Sequence, residues 1–444
     1  MTNTAATTDA MSKRPSGGTM RRNGLISHCV VFMQNCANGY TPWGTYLTCE
    51  ENWSDIFTNP GGNISALEKR YGIGKSEDSY RWSEVDERFN SEKNPNEPNR
   101  FGWVVEIDPF DPKSTPRKHT ALGRFKHEGA KVTIAPDGRL AVYMGDNQRF
   151  EYIYKFVSKN RYRPGNRAAN MRLLEEGTLY VARFNENGSG DWLALVHGQN
   201  GLTAANGFAD QGEVLVKTRM AADLVGATKM DRPEWITADP FSAGSIYCTL
   251  TNNSQRGEAG KPAADAANPR ANNLFGHIIH WQEADGDGTK LSFKWDILVL
   301  AGNKQAAKPE HKGNINGDDF GSPDGLAFDN RGVLWIQTDV STSTLNMKEY
   351  AGMGNNQMVA TVLGSNEYRR FLTGPNGSEI TGIAFTPDNK TMFINIQHPG
   401  EPSKGDSDPA RPTAVSSWPD GAAAGRPRAA TVVITKNDGG VIGS

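Results

Sequence analysis

Residues 132–146 read "VTIAPDGRLAVYMGD": a short apolar run, a Pro-Asp-Gly turn, and a second apolar run that ends on an acid. The same plan recurs as "LAFDNRGVLWIQTD" at 326–339 and "IAFTPDNKTMFINIQ" at 383–397, with a looser copy, "WITADPFSAGSIYCTLTNN", at 235–253. Gly, Asn and Asp in these turns supply the positive-φ and side-chain-capped conformations that tight hairpins require. Hairpins recurring along a chain, separated by irregular insertions, predict an all-β fold, a β-propeller with inserted loops. A β-sandwich built of similar hairpins is the alternative. In a propeller the inner strands line a central channel. The polar residues closing the second strands, Asp146, Asp339 and Gln397, are therefore expected to meet at its mouth.

Further strands are expected in "RFGWVVEIDPF" from Arg100, "EYIYKFVS" from Glu151, "GTLYVARF" from Gly177, "NLFGHIIHW" from Asn273 and "ATVVITK" from Ala430. Helix is scarce; "SALEKRYG" from Ser65 and "RMAADLVGA" from Arg219 are the short candidates. The 444 residues carry a formal charge of −2 and no basic stripe, which argues against nucleic acid as a partner. No apolar run approaches the roughly 18 residues of a membrane span. Residues 1–24 are polar and rich in small side chains, without the apolar core of a secretory signal, and are expected to be disordered. One propeller domain is expected over 25–444.

Of the four cysteines, Cys29 and Cys248 sit in apolar strand-like runs and read as core thiols. No C-x-x-C pair exists, so a zinc ribbon or redox dithiol is not expected. Cys49 stands directly before Glu50 and Glu51 and is the one with acidic neighbours. Other polar clusters lie in loops or at strand ends: His127 and Glu128; Asp146, Asn147 and Glu151; Asp231, Arg232 and Glu234; Arg270, Asn272 and Asn273; Asp318, Asp319 and Asp324; Glu379; and Asn395, Gln397, His398 and Glu401. Any one of them reads as solvated turn residues. Together they favour a site, because hard cations want several oxygens and Ca²⁺ takes six to eight. Thiolate is not a calcium ligand, but among carboxylates it suits iron. Arg232 and Arg270 could hold a phosphate through paired N–H···O bonds. Metals with arginine suit hydrolysis of an anionic ester. Neither a nucleophile elbow nor a phosphate-binding P-loop is present.

At this point "NCANGYTPWGTYLTCEE" (35–51), "KHEGA" (126–130), "MDRPEW" (230–235), "NPRANNLFGHI" (268–278), "SPDGLAFD" (322–329), "GSEITGIAFTPD" (377–388) and "NIQHPGE" (395–401), in this order, resemble the PhoX family of alkaline phosphatases. The resemblance implies a six-bladed propeller holding Ca²⁺ and Fe³⁺. It implies hydrolysis of small phosphate monoesters, with diesters in some relatives, by a monomer. Cys49 matches the iron-ligating cysteine. The metal-binding acids fall on Glu50 or Glu51, Glu128, Asp231, Glu234, Asp324 and Glu379, with Asn272 where some members carry an acid. Arg270 matches the arginine of the "NPR" motif and is the expected phosphate ligand, acting with Glu128 and Cys49. Asn38 replaces a usual Gly and Ser378 a frequent Cys. Family members carry a twin-arginine export signal ahead of a long segment; the Arg21-Arg22 pair lacks the apolar stretch such a signal needs. The expected location is periplasmic or secreted if the chain is shortened, cytoplasmic otherwise. Two other readings remain: a single-calcium propeller hydrolysing lactones or phosphotriesters, which leaves Cys49 idle, and an inactive metal-binding scaffold.

Overall fold

All four repeated stretches fold into the hairpins their turns predict. Lys131–Ile134 pairs with Arg139–Gly145, Pro323–Phe328 with Val333–Thr338, and Glu379–Phe385 with Thr391–Gln397, each antiparallel. Pro233–Ala238 and Ser245–Leu250 are likewise neighbours. The turns share one hydrogen-bond plan. Ala135 N donates to Arg139 O at 2.8 Å and Gly138 N to Ala135 O at 2.8 Å; Asp329, Val333 and Gly332 repeat this at 3.0 and 3.1 Å. Gly138 and Gly332 hold the position at φ 87° and 84°, where a Cβ is strained. In the third hairpin, one residue longer, Asn389 serves at φ 54°.

The computed structural model describes residues 32–75, 80–365, 367–405, 407–421 and 425–444. The expectations for residues 1–24 and for Cys29 lie outside these residues. The chain forms two compact units, one comprising residues up to Pro233 with Glu283–Lys294, the other Glu234–Gln282 with Trp295–Ser444.

In the first unit, Asn35–Tyr40, Tyr46–Glu50, Val104–Ile107 and Arg117–His119 make a four-stranded antiparallel meander. The "NCANG" stretch is thus a hairpin strand. A second meander runs Lys131–Ile134, Arg139–Gly145, Ile153–Arg161, Gly177–Phe184 and Ser189–Ala194. Residues Ser292–Lys294 extend it along Ser189–Asp191. Leu47, Val104, Val142, Tyr154 and Phe156 bury the apolar faces against Val214, Leu215 and Ala222. Those last three come from Gln211–Val216 and Thr218–Val225, the second of which is one of the two predicted helices. The other predicted helix, Ala66–Arg70, opens on a Ser65–Glu68 capping box.

In the second unit, Ser245–Leu250 pairs with His277–Gln282. A five-stranded sheet includes the meander Pro323–Phe328, Val333–Thr338, Gln357–Val362 and Glu367–Thr373, and a three-stranded sheet closes on Ala430–Thr435. Its core gathers Trp335, Met358, Ile380, Met392 and Ile394. Gln357–Val362 and Ser292–Leu300 are strands that fall outside the repeated hairpins from which the sequence reading starts.

Gly39 lets the first hairpin approach the "KHEGA" segment. A Cβ there would stand 2.0 Å from Ala130 O, and Ala130 N donates to Asn38 O at 3.3 Å. Gly39→Ala is therefore expected to lower stability by about 1–3 kcal/mol, read as a lower midpoint in urea unfolding. An unchanged midpoint would mean that the two segments do not need this close approach.

Candidate metal centre

The first hairpin is irregular at one place, and that place makes the site. Asn35 pairs with Glu50, but Asn38 pairs with Thr48, so Cys36 and Ala37 together oppose the single residue Cys49. Such a β-bulge re-aims a side chain without breaking the ladder beyond it. Cys36 is exposed, and its Sγ donates to Glu128 Oε1 at 2.9 Å. Donor atoms of Cys36, Glu51 and Glu128 all lie within 4.8 Å of one another.

Cys49, the expected iron ligand, takes the other side of the strand. It is fully buried with Leu47, Trp43 and Val104 in the apolar core. Burial first, then the nearby Glu128 and Glu50, push its thiol well above the ordinary range. The reason is strand alternation: Leu47 and Cys49 share the core face. Glu50 is also committed elsewhere. Its Oε1 accepts from Lys118 Nζ at 2.7 Å, and its Oε2 from the backbone N–H of Gly102 and Trp103 at 3.0 and 3.1 Å. Glu50 is thus half of a buried ion pair, and of the two adjacent acids only Glu51 joins the cluster.

Glu51 and Glu128 are both buried. Burial, and then repulsion by Glu128, raise the Glu51 carboxyl well above its usual value, against the pull of Lys126 and Arg232. The Asn147 amide bridges the pair, donating to Glu51 Oε1 at 3.1 Å and Glu128 Oε2 at 2.9 Å. Its carbonyl oxygen accepts from Arg232 Nε at 2.8 Å. Lys126 Nζ reaches Asn52 Oδ1 at 3.2 Å, and Asn52 donates to Glu51. Behind this row Asp146 is held by the buried Arg219, so Asp146 is a support and not a channel-mouth residue. Glu151 pairs with Arg70 at 2.8 Å. His127 stacks on Phe125 and bonds Gly123 O at 2.9 Å; burial lowers its pKa to about 3, so it is a neutral core residue. Asp231 is buried beside Arg149.

In the second unit the acids stand at strand entries. Glu234 and Asp324 are buried, each the second residue of its strand, with an oxygen of one within 4.8 Å of an oxygen of the other. Glu379 opens its strand directly opposite Gln397. His398 Nε2 lies 3.6 Å from Glu379 and its Nδ1 3.4 Å from Glu401. Burial opposes the charge on His398, but Glu379, Glu401 and Asp339 outweigh it and push the pKa up to about 9. The stability this pairing contributes is present below about pH 6.5 and is lost as pH rises through about 9. Arg270 is buried and donates to Ala301 O at 2.7 Å and to Gly276 O. Asn272 is half-buried at φ 45°, a left-handed position that Asn tolerates. Asn273 is structural: its Oδ1 accepts from Gly276 N at 3.1 Å.

Cys36, Lys126, Asn52 and Arg219 escape sequence reading. Cys36 has no acidic neighbour in sequence, and only the bulge shows where its sulfur goes. One thiol and two mutually repelling buried carboxylates form a donor set that a cation would stabilise, since ligands of this kind bind metal in their deprotonated forms.

A family model described as "Alkaline phosphatase PhoX" matches residues 5–400. A solved structure of Pseudomonas fluorescens PhoX in complex with vanadate, a transition state analogue, is 49% identical with a TM-score of 0.86, covering 92% of this chain and 70% of that one. The strand-and-hairpin architecture is thus that of a propeller-like fold. The periplasmic gluconolactonase PpgL of Pseudomonas aeruginosa is also similar, at 9% identity and TM-score 0.28, covering 66% of this chain and 70% of that one, and carries no argument at that level. No curated protein matches. Among the described residues no helix is long and apolar enough to cross a membrane.

The two adjacent glutamates are expected to behave oppositely. Burial raises the Glu50 carboxyl as well, against Lys118 and two backbone N–H groups, but Glu50→Gln leaves Lys118 buried without its counter-charge and should cost about 3–5 kcal/mol. Glu51→Gln should stabilise chelator-treated protein. A carboxyl with a raised folded-state pKa favours folding at low pH, and that contribution is lost as pH rises above about 4.5. Chemical denaturation of both variants between pH 5 and 8 reads the contrast; equal effects would place both carboxylates in one environment.

Proposed function

Because this chain belongs to the PhoX family of alkaline phosphatases and is a metal-dependent phosphoric ester hydrolase, we propose that its chemistry runs at an iron–calcium centre in which Cys36, and not Cys49, supplies the thiolate. The observation behind this reading is the convergence of Cys36, Glu51 and Glu128 donor atoms within 4.8 Å of one another. Sulfur together with carboxylate oxygen suits Fe³⁺. The all-oxygen pair Glu234 and Asp324 suits Ca²⁺, as does the carboxylate of Asp231. Bound there, such cations would neutralise phosphoryl oxygens and stabilise charge on the attacking and leaving oxygens.

The chain's own residues supply positioning. Asn147 holds the Glu51 and Glu128 carboxylates together, and Arg232 fixes that amide with its N–H₂ toward the acids. Arg219 grips Asp146, next to Asn147 in sequence, and Asn147 N donates to Lys126 O at 2.9 Å, so the acid-bearing segment and its support move as one. Arg270, anchored on the carbonyls of Ala301 and Gly276, is the proposed phosphate ligand, a rigid fork that matches oxyanion geometry. The substrates are small phosphate monoesters, with diesters as a secondary class. A single-calcium lactonase uses no thiolate, so the same experiment separates it from this reading.

Elemental analysis and p-nitrophenyl phosphate hydrolysis on one preparation test the assignment. Cys36→Ala should lose iron, and turnover by about 100-fold or more, beyond the range of outer-shell changes. Cys49→Ala should keep both and lose about 1–2 kcal/mol of stability through the cavity it leaves. Iron loss in Cys49→Ala alone would return the role to Cys49. Calcium without iron in the unaltered protein would favour the lactonase.

A further inference from the structure

A cleft of about 620 Å³ lies in the first unit, walled by residues from segments 59–73 and 91–99 with Arg124 and Lys217. Nothing in the phosphatase reading uses it. Arg124 is only 1% exposed, and no carboxylate pairs with it among the described residues. Its Nε and Nη2 donate to Phe101 O and Pro98 O at 2.9 Å, and its Nη1 to Val216 O at 3.4 Å. Its guanidinium lies 4.2 Å from the Trp53 ring centre and 4.4 Å from that of Tyr71. Carbonyls and ring faces soften a buried cation but do not neutralise it.

The same wall holds an oxygen that accepts nothing. Asn59 is 3% exposed; its N–H₂ donates to Glu68 Oε1 at 3.1 Å and Asn63 O at 3.3 Å, while its Oδ1 has no partner. Glu68 itself is filled, by Asn59, by Ser91 Oγ at 2.6 Å and by Ser65 N at 2.8 Å. A cation without an anion and an acceptor without a donor, both deeply buried, are two separate deficits in one cleft.

We propose that this cleft binds a hydroxylated organic monoanion of sugar-acid size, its carboxylate directed to Arg124 and a hydroxyl to Asn59 Oδ1. The volume lies within the range of small-molecule sites. Glu68 and Glu92 in the wall balance Arg124 and Lys217 in formal charge, so a singly charged carboxylate fits better than a doubly charged phosphate. Burial lowers the Arg124 pKa to about 10 despite the pull of Tyr71 and of the more distant Glu50, and a bound anion would raise it.

Titration calorimetry on the metal-loaded full chain tests this, with D-glucuronate against glucose, which has hydroxyls without charge, and acetate, which has charge without hydroxyls. Glucuronate should bind, and each control at least about tenfold more weakly, because each meets only one deficit. Arg124 is embedded deeply enough that its variants can misfold. Asn99→Asp, on the half-exposed wall, is therefore the informative change: it should weaken glucuronate about tenfold by like-charge repulsion and leave p-nitrophenyl phosphate turnover unchanged. The proposal is overturned by absence of glucuronate binding, by equal binding of acetate or glucose, or by unchanged affinity in Asn99→Asp. Competitive inhibition of phosphatase turnover by glucuronate would also overturn it, by placing the ligand at the catalytic centre.

Discussion

Two buried carboxylates held side by side are the constraint on which the candidate centre depends. Glu51 and Glu128 repel, and burial denies them the water that would screen the repulsion. Around them stand a thiol on one oxygen, an amide across both, and Lys126 and Arg232 at the next distance out. Each neighbour reduces the repulsion without removing it. A cation would stabilise such an arrangement, and membership of a metal-dependent phosphatase family gives that a chemical purpose.

The surrounding frame is unusually ionic for a protein interior. Glu50 with Lys118, Asp146 with Arg219, Glu151 with Arg70, and Glu283 with Lys155 are all buried or nearly so. Buried pairs of this kind add little net stability over apolar packing, but breaking one is costly. Their effect here is geometric. Glu50 accepts from Lys118 and from the backbone N–H groups of Gly102 and Trp103, which keeps the strand carrying Glu51 in register. Arg219 ties the segment after Arg139–Gly145 to a helix, which keeps Asn147 facing the two acids.

A common rule places the acids. Each repeated hairpin carries its acid where the chain enters the leading strand: Glu234 and Asp324 as second residues, Glu379 as the first, and Glu128 three residues ahead of Lys131. Antiparallel pairing sets that entry opposite the polar end of the following strand, as Glu379 opposite Gln397 and the His127–Asp146 bridge both illustrate. The polar strand ends read from the sequence therefore lie opposite the acids, which the incoming strands carry. The acids come from the incoming strand, and Asp146 at the outgoing end serves as a support.

What the sequence determined by itself was whatever depends on local periodicity and turn chemistry. The Pro-Asp-Gly, Asn-Arg-Gly and Pro-Asp-Asn turns define the hairpins, because few residues tolerate their backbone angles, and the ordered motifs from "NCANG" to "NIQHPGE" define the family. Glu51 and Glu128 were legible as ligand candidates through the family motifs that carry them, which left Glu50 and Glu51 undivided. The identity of the sulfur was not legible. Cys49 is next to two glutamates in sequence, yet strand alternation sends its side chain into the core and binds Glu50 to Lys118. A single extra residue in the partner strand turns Cys36, 92 positions away from Glu128, onto that carboxylate. Register and bulges arise from pairing between strands, so only the tertiary structure could decide which of the two cysteines stands beside the acids.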